Sequence, residues 1–310
     1  MVEKTMRAVY AHDYGGPEAL ALEHAPLPQI QADQVLVRLK AAGVNPADWK
    51  YLGGAFRQFM PLKFPWTPGL EGSGIVDAVG GKVSAFKIGD EVYGLIKSAY
   101  AEYALVEAND ILSKPAGLTF EEAASLPVGA LTAWGAVIST AKIEAGQRVL
   151  VHGAAGGVGA YAVQLACWKE AHVTGTTSAG NVGLARSLGA EAVVDYQSTR
   201  FETILHDMDA VIDTVGGELM ERSLQVLRAG GLYVTVAGRP AEDAGKAHNV
   251  KAMSAGRAPA ETLKQLSELI EAKKIKPVVG MVFPLTEVTK AVELSRTGHG
   301  RGRIILHIAD

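Results

Sequence analysis

The stretch "VHGAAGGVGAYAVQLA", Val151–Ala166, decides the fold of this chain. A β-branched run, "RVLVHG", enters a cluster of glycines, and an apolar pattern with helical spacing leaves it. The cluster has the form A-x-G-x-x-G, in which small residues let backbone N–H groups approach a pyrophosphate at the positive end of a helix. The stretch therefore predicts a dinucleotide-binding turn made by Ala154, Gly156, Gly157, Val158 and Gly159.

Strand and helix patterns alternate on the C-terminal side of this turn. The predicted strands are "HVTGTT", "EAVVDY", "DAVIDTVGG" and "LYVTVAG", and the helices between them are "NVGLARSLGA" and "ELMERSLQVLRAGG". A further helix, "APAETLKQLSELIEAKK", and a last strand, "GRGRIILHIAD", follow. This repetition predicts a parallel, doubly wound sheet.

The part of the chain before Thr119 has a different pattern. Short strand signals such as "MRAVYA", "QVLVRLKAAGV" and "GSGIVDAVG" are separated by Gly and Pro, which is typical of a barrel-like or sandwich domain. "TFEE" then forms a capping box, with Thr119 as the N-cap and Glu122 three residues later. We therefore expect an α/β protein with a β-rich first domain.

Composition narrows the class of protein. The chain has 310 residues, of which 48% are apolar and 20% charged, as in a globular protein of about two domains. A net charge of −3 gives no reason to expect nucleic acid as a partner, and no apolar run reaches the roughly 18 residues of a membrane span. The start, "MVEKTMRAVY", has no signal-peptide or transit pattern, so we expect a cytoplasmic protein.

The loop after the second strand of the doubly wound domain bears on the choice of cofactor. An NAD site places an acidic residue about 20 residues after the glycines, where it binds the ribose 2′-hydroxyl. Here that loop is "TGTTSAGN", Thr174–Asn181, which contains no acid and no Lys or Arg. A carboxylate would repel a 2′-phosphate, whereas the hydroxyls of Thr176, Thr177 and Ser178 would donate hydrogen bonds to it. We therefore expect NADPH as the cofactor.

Taken together, the motifs resemble the medium-chain dehydrogenase/reductase superfamily, in its zinc-free, zeta-crystallin-like branch of quinone oxidoreductases and enone reductases. The similarity runs over nearly the whole chain and is carried by "AAGVNPADWK", "PGLEGSGIVDAVG", "LPVGALTAWGAV", "GQRVLVHGAAGGVG" and "GRGRIIL". It implies a GroES-like β domain at 1–120, a Rossmann doubly wound parallel-sheet domain at 121–265 and a C-terminal return to the first domain at 266–310. It also implies an active site in the cleft between the domains.

The resemblance also gives the positions at which zinc-dependent members hold their metal. Asn45 stands at the place of the Cys ligand, and "GLEG" replaces the G-H-E run, so that Leu70 stands where a His would be and only Glu71 remains. The single cysteine, Cys167, lies on the predicted helix after the glycines. Because a catalytic zinc needs three protein ligands, we expect a metal-free enzyme.

Three residues match positions near the reacting groups in this family. Asn45 and Asp48, in "NPAD", would line the nicotinamide, although an Asx-type turn with Pro46 accounts for the same pattern. Lys50 would contact cofactor or substrate oxygens, or else be a solvated surface lysine. Tyr51 would donate a proton to an enolate, or else pack against its neighbours. The resemblance thus makes Asn45 and Lys50 catalytic candidates and Asp48 a cofactor-binding one. The phenol of Tyr51, which flanks Lys50, makes it the third catalytic candidate.

Other matched positions concern the cofactor alone. Thr132, in "GALTAW", would contact the nicotinamide ribose or phosphate, and Tyr196, in "VVDY", would bond the 2′-phosphate. The ends of two further strands should border the nicotinamide, at Val215, Val236, Ala237 and Gly238. His152, inside "VLVHGAAGG", is interpreted as a strand-end residue beside the phosphate turn.

Three functions follow as expectations. The first is an NADPH-dependent reductase that transfers hydride to a quinone or an α,β-unsaturated carbonyl. The second is a 2-enoyl thioester reductase, and the third is an NADPH-binding, crystallin-like protein of low activity. The segment "YLGGAFRQFMPLKFPW" is rich in apolar residues that suit flat acceptors, and the family habit predicts a homodimer formed through the edge of the Rossmann sheet, at "LYVTVAG" and the region after it.

Overall fold

A computed structural model describes residues 5–309 of the chain. These residues form two compact units. The first comprises the described residues up to Val128, the segment Ala260–Ser267 and the described residues from Pro277 onward. The second comprises Gly129–Pro259 and Glu268–Lys276.

The first unit is built on β-strands. It contains nine strands and the helices α1 and α2: β1 (Thr5–Tyr10), β2 (Ala21–Pro26), β3 (Gln34–Val44), α1 (Pro46–Leu52), β4 (Gly72–Val79), β5 (Glu91–Gly94), β6 (Tyr103–Glu107), β7 (Ile111–Ser113) and α2 (Phe120–Ala124), with β14 (Val279–Pro284) and β15 (Arg303–His307) near the C-terminus. Strands β1 and β2 pair with each other, and the others form a sheet ordered β14-β15-β3-β4-β5-β7, with β6 paired to β3. A further helix, α8 (Val288–Thr297), packs beside α1.

The long strand β3 lies in the middle of this sheet, between the next strand of the chain, β4, and the C-terminal strand β15. It pairs antiparallel with β4, β6 and β15. Ile305 of β15 lies opposite Gly43 of β3, which brings the last strand of the chain next to the entry of α1. Buried apolar side chains such as Val37, Leu39 and Leu306 form the core of the unit.

The second unit contains a six-stranded sheet in which every pair is parallel. Its strands are β8 (Arg148–His152), β9 (His172–Thr177), β10 (Ala192–Asp195), β11 (Met208–Asp213), β12 (Leu227–Thr235) and β13 (Lys251–Ser254). They are ordered β10-β9-β8-β11-β12-β13, which is the doubly wound order of dinucleotide-binding folds. The prediction of a doubly wound parallel sheet is therefore confirmed.

The remaining helices connect these strands or follow them. They are α3 (Pro127–Trp134), which continues into a π-helical segment at Gly135–Thr140, and α4 (Gly159–Trp168), α5 (Val182–Ser187), α6 (Leu219–Leu224) and α7 (Thr262–Glu271). Across residues 5–309, none of the helices has both the length and the apolar character that crossing a membrane requires.

One predicted helix was wrong in its extent. The run "ELMERSLQVLRAGG" indicated one helix, but α6 ends at Leu224 and β12 begins at Leu227. The buried side chains of Val226 and Leu227 join the apolar core under the sheet, and the N–H of Met208 bonds to the carbonyl of Val226. Burial of this apolar pair in the sheet thus overrides the helical spacing of the sequence.

Candidate active site

The glycine-rich turn is held tightly against the ends of two strands. After β8 the chain turns at Gly153, which has a φ of +67°, and the N–H of Ala154 bonds to the carbonyl of Thr176 at the end of β9, at 3.0 Å. A Cβ at Gly159 would overlap the carbonyl oxygen of Gly153, so only glycine lets α4 start this close to the strand.

The middle of the same turn is open to a ligand. Gly156, Gly157 and Val158 are half-buried, whereas Ala154 and Gly159 on either side are buried. They immediately precede the ten-residue helix α4, whose N-terminus carries a partial positive charge. A glycine-rich turn at the N-terminus of a helix is what a pyrophosphate requires, so these residues fit a dinucleotide.

The acid-free loop lies at the carboxyl end of the neighbouring strands. Thr176 and Thr177 end β9 and are buried, whereas Ser178 is half-buried. Tyr196 follows β10, its N–H bonds to the carbonyl of Thr177 at 3.2 Å, and its side chain is 51% exposed. The hydroxyl of Thr176 lies 2.9 Å from Nδ1 of His152, inside the unit. Ser178 and Tyr196 therefore present accessible hydroxyls at this edge of the sheet.

The ends of β11 and β12 complete the same edge of the sheet. The buried carboxylate of Asp213 accepts hydrogen bonds from the N–H of Val215 at 2.8 Å and of Gly216 at 3.0 Å, and from the hydroxyl of Tyr233. These bonds fix the loop after β11 and leave the Val215 side chain mostly exposed. The residues expected to border the nicotinamide after β12 follow at the same edge, with Val236 and Ala237 half-buried and Gly238 exposed.

Thr132 is the remaining cofactor candidate in the second unit. It lies on α3, with a half-buried side chain. Thr132 does not lie at a strand end, because it belongs to α3, which comes before the first parallel strand, β8, in the chain. In the second unit, the sequence predictions for the cofactor thus fall at five neighbouring strand ends, those of β10, β9, β8, β11 and β12, and on α3.

The first unit holds a buried polar cluster, which we define as Asn45, Asp48, Glu71, Tyr100 and Arg303. None of these five residues is more than 3% exposed. Nη2 of Arg303 donates to Oδ1 of Asn45 at 2.8 Å and also to Oε1 of Glu71. The other oxygen of Glu71 accepts a hydrogen bond from the N–H of Val128 at 2.7 Å. The cluster therefore joins the end of β3 to β15 and to the start of α3.

Asn45 has no donor to spare for a substrate. Its Nδ2 donates to Oε1 of Glu71 at 2.9 Å and to the carbonyl of Gly43 at 3.3 Å, while Oδ1 accepts from Arg303. Because a carboxamide nitrogen carries two hydrogens, both are used within the cluster. This geometry supports a structural role for Asn45 rather than the direct catalytic contact that we expected.

Asp48 holds the first turn of α1 in place. Its carboxylate accepts hydrogen bonds from the N–H of Asn45 at 2.8 Å, the hydroxyl of Tyr100 at 2.8 Å and the N–H of Gly69 at 3.3 Å. Burial raises the pKa of Asp48 to about 6, against the lowering effect of these bonds. The residue ties three segments of the first unit together and is 2% exposed.

Lys50 and Tyr51 are the accessible candidates on α1. The Lys50 ammonium lies 5.4 Å from the centre of the Trp49 ring, and both side chains are half-buried. The Tyr51 ring lies 4.8 Å from that of Phe56, and its hydroxyl is 4.0 Å from Sδ of Met60. The neighbouring Phe59 is 84% exposed, so this segment presents aromatic surface beside two polar side chains that can donate a proton.

The residues at the family's zinc positions do not fit a zinc ion. Asn45 offers an amide already bonded to a guanidinium, Leu70 offers no donor atom, and Glu71 is paired with Arg303. Within residues 5–309, no three His, Cys, Asp or Glu side chains are grouped so that they could hold a metal ion. Cys167 lies in the second unit, where burial raises the pKa of its thiol to about 11.

Arg303 is the residue of this cluster that the sequence interpretation missed. Arg303 lies within "GRGRIIL", and an arginine at the start of a strand ordinarily lies at the surface. One signal was available in "GLEG". Its glutamate lies between apolar and small residues at the start of a predicted strand, and a buried carboxylate requires a cationic or hydrogen-bonding partner.

Comparison with known proteins places the chain in a family. Residues 31–116 match the family described as alcohol dehydrogenase GroES-like domain, which confirms the GroES-like prediction, and residues 188–306 match the family described as zinc-binding dehydrogenase. The tomato (Solanum lycopersicum) 2-methylene-furan-3-one reductase is 34% identical over 99% of this chain and 80% of its own. The NADPH-dependent alkenal/one oxidoreductase of Arabidopsis thaliana is 33% identical over the same shares.

A solved structure agrees over the full length. The quinone oxidoreductase of Coxiella burnetii superposes with a TM-score of 0.89 at 32% identity, and the match covers 99% of this chain and 100% of that one. Identity of this level over whole chains, together with the GroES-like match and the doubly wound sheet, shows common ancestry rather than shared architecture alone. The chain belongs to the medium-chain dehydrogenase/reductase superfamily, in the branch of the quinone and enone reductases.

Proposed function

We propose that this protein is an NADPH-dependent, metal-independent reductase that transfers hydride to a quinone or an α,β-unsaturated carbonyl. The observation that carries the proposal is the open phosphate turn at Gly156–Val158, beside the loop Thr174–Asn181, which has no carboxylate. We call this segment the ribose loop. The relatives reported above, which are named for the reduction of enones, alkenals and quinones, support the same reaction class.

The choice of NADPH rests on the ribose loop. A carboxylate there would repel a 2′-phosphate, and the loop between β9 and α5 has none. Ser178 and the half-exposed Tyr196 offer hydroxyl donors at this edge, and Thr177 adds one more at the strand end. Thr176 contributes less than expected, because its hydroxyl bonds inward to His152.

The proposal of metal independence rests on the chemistry of the side chains at the family's zinc positions. The positions at which relatives hold zinc carry an amide, a leucine and a carboxylate paired with Arg303. When bound, NADPH supplies the hydride, and a conjugated carbonyl is already polarised enough to accept it. The protein must then hold the carbonyl oxygen and deliver a proton. We assign these tasks to Lys50 and Tyr51, whose polar groups are accessible, and not to Asn45.

We also propose that the protein works in the cytoplasm as a homodimer on small-molecule acceptors, without nucleic-acid or membrane partners. The parallel sheet has two edge strands, β10 and β13. The dimer contact is assigned to β13, which follows β12 ("LYVTV") in the chain and pairs with it. Met253 on this strand is 45% exposed, as a pairing surface requires.

The direct test is NADPH oxidation with a panel of acceptors: a para-quinone, an aliphatic enal, a conjugated ketone and a 2-enoyl thioester. The proposal expects turnover with a quinone, the enal or the ketone, and a clear preference for NADPH over NADH. Turnover of the thioester alone would replace it with the enoyl thioester reductase. Tight NADPH binding without reduction of any acceptor would replace it with the low-activity binding protein.

A further inference from the structure

His152 is a buried ionisable side chain that the proposed chemistry does not use. It ends β8, directly before the phosphate turn, and is 0% exposed. Its Nδ1 lies 2.9 Å from the hydroxyl of Thr176, and its Nε2 lies 2.9 Å from the hydroxyl of Ser223 on α6. Both ring nitrogens are therefore engaged, one with the end of β9 and one with α6.

The direction of each hydrogen bond follows from counting hydrogens. Ser223 donates its one hydroxyl hydrogen to the carbonyl of Leu219 at 2.6 Å, so Nε2 of His152 must be the donor to Ser223. Burial lowers the pKa of His152 to about 4, so the ring is neutral near pH 7 and its Nδ1 is an acceptor. Thr176 must then donate to Nδ1. The hydroxyl hydrogen of Thr176 is held inside the unit.

The backbone of His152 joins the same arrangement to a third strand end. The carbonyl of His152 accepts a hydrogen bond from the hydroxyl of Thr214, directly after β11, at 2.8 Å. On the other side, the N–H of Ala154 bonds to the carbonyl of Thr176 at 3.0 Å. His152 thus connects the ends of β8, β9 and β11. The phosphate turn begins at the end of β8, the ribose loop at the end of β9, and the loop with Val215, expected to border the nicotinamide, at the end of β11.

We propose that His152 is a positioning residue for the dinucleotide: its neutral ring fixes the ends of β8 and β9 at the spacing that the phosphates and the ribose require. The inference rests on the proposed NADPH site, and it predicts a defect in cofactor binding rather than in the chemical step. A residue that only filled space in the core would affect stability without this selectivity.

The test measures the NADPH dissociation constant, KM and kcat in a small set of variants, and asks which of these constants each substitution changes. His152→Leu removes both hydrogen bonds and should raise the NADPH dissociation constant about tenfold or more, with kcat at saturating NADPH within about twofold. His152→Asn keeps an acceptor oxygen near the position of Nδ1 and should recover most of the affinity. Ser223→Ala leaves the histidine in place and should cost about threefold.

The matched control is Phe201→Leu. The Phe201 ring packs edge-on against His152 at 4.7 Å between ring centres, and it is buried without a polar link to the site. This variant should lower stability while leaving the NADPH dissociation constant within about twofold of wild type. Equal losses of affinity in Phe201→Leu and the His152 variants would mean that packing alone is at work, and would overturn the inference.

Other outcomes are equally decisive. If His152→Leu does not fold, the test relies on Ser223→Ala and His152→Asn. The positioning role is then overturned if Ser223→Ala binds NADPH as tightly as wild type and His152→Asn shows a lower kcat. If the wild-type protein itself does not bind NADPH, the proposed function fails. Wild-type binding with full affinity in His152→Leu leaves the function standing and removes only this inference.

Discussion

The guanidinium of Arg303 and the carboxylate of Glu71 form an ion pair inside the first unit, where Arg303 is 3% exposed and Glu71 is fully buried. The two residues are 232 positions apart in the chain. Among the described residues, no hydrogen-bond acceptor is found for Nε of Arg303. A cation and an anion buried against each other beside Asn45 affect both the stability of the unit and the chemistry that this cluster can perform.

Breaking this pair from either side should be costly. Arg303→Met or Glu71→Gln leaves the other group buried without its partner, and we expect each to lower the free energy of unfolding by about 3–5 kcal/mol. The double variant should recover part of the loss, because it leaves no unpaired charge. Urea unfolding of the four proteins measures this directly. Single variants within about 1 kcal/mol of wild type would contradict a buried pair.

Asp48 should make stability depend on pH. Its pKa rises from 3.8 to about 6 on folding, mainly through burial. The pKa of Asp48 is thus higher in the folded than in the unfolded protein, so Asp48 contributes its full share to the free energy of unfolding below about pH 4. This share is lost as the pH rises through 6, by about 3 kcal/mol in all. Relative to Asp48→Asn, which does not titrate, the wild type should lose that amount between pH 4 and pH 7.

Unfolding by urea at several pH values measures this difference. Asp77→Asn, on an exposed position of β4, controls for the removal of one negative charge. A difference between wild type and Asp48→Asn that stays constant over the range would show that Asp48 binds its proton equally in both states.

Gly159→Ala should damage the cofactor site. The added Cβ would overlap the carbonyl oxygen of Gly153, which is backbone and cannot move aside cheaply. We expect a loss of stability of about 1–3 kcal/mol and weaker NADPH binding. Gly183→Ala on α5, where no atom lies within 4 Å of the added Cβ, is the matched control and should be neutral or slightly stabilising. Equal behaviour of the two variants would show that the turn does not need its glycine.

A substitution at Ser178 should change the preference of the protein from NADPH to NADH. Ser178→Asp places a carboxylate beside the ribose and should weaken NADPH binding about tenfold or more, while NADH binding is kept or improved. Tyr196→Phe should weaken NADPH binding without affecting NADH. Ser187→Asp, at the end of α5, adds the same charge away from the loop. Dissociation constants from fluorescence titration decide, and a parallel change for both cofactors in Ser178→Asp would place the 2′-phosphate elsewhere.

The glycine turn and the sheet could be predicted from the sequence because they depend on local patterns. The spacing of Ala154, Gly156 and Gly159 states a backbone requirement directly, and strand–helix alternation leaves few topologies open. The capping box at Thr119 also forms, with its hydroxyl accepting from the N–H of Glu122 at 3.1 Å. Each of these features is decided by residues that are close together in the chain.

The polar cluster could not be predicted, because its bonds are made across the chain. Asn45 looked like a catalytic amide until the structure placed Arg303 and Glu71 on both ends of its carboxamide. Thr176 looked like a phosphate donor, but its hydroxyl lies 2.9 Å from Nδ1 of the buried His152. In both cases a distant residue uses the hydrogen-bonding capacity that the local motif suggested was available for a ligand.

The most direct test of the central claim is the fate of the hydride in protein dialysed against a chelator. With NADPH deuterated at the transferring position and a conjugated enone, we predict that the reduced product gains one deuterium at the β-carbon, at an undiminished rate, in protein from which zinc is absent by elemental analysis. Product without deuterium, or activity that is lost on chelation and restored by zinc, would contradict the account.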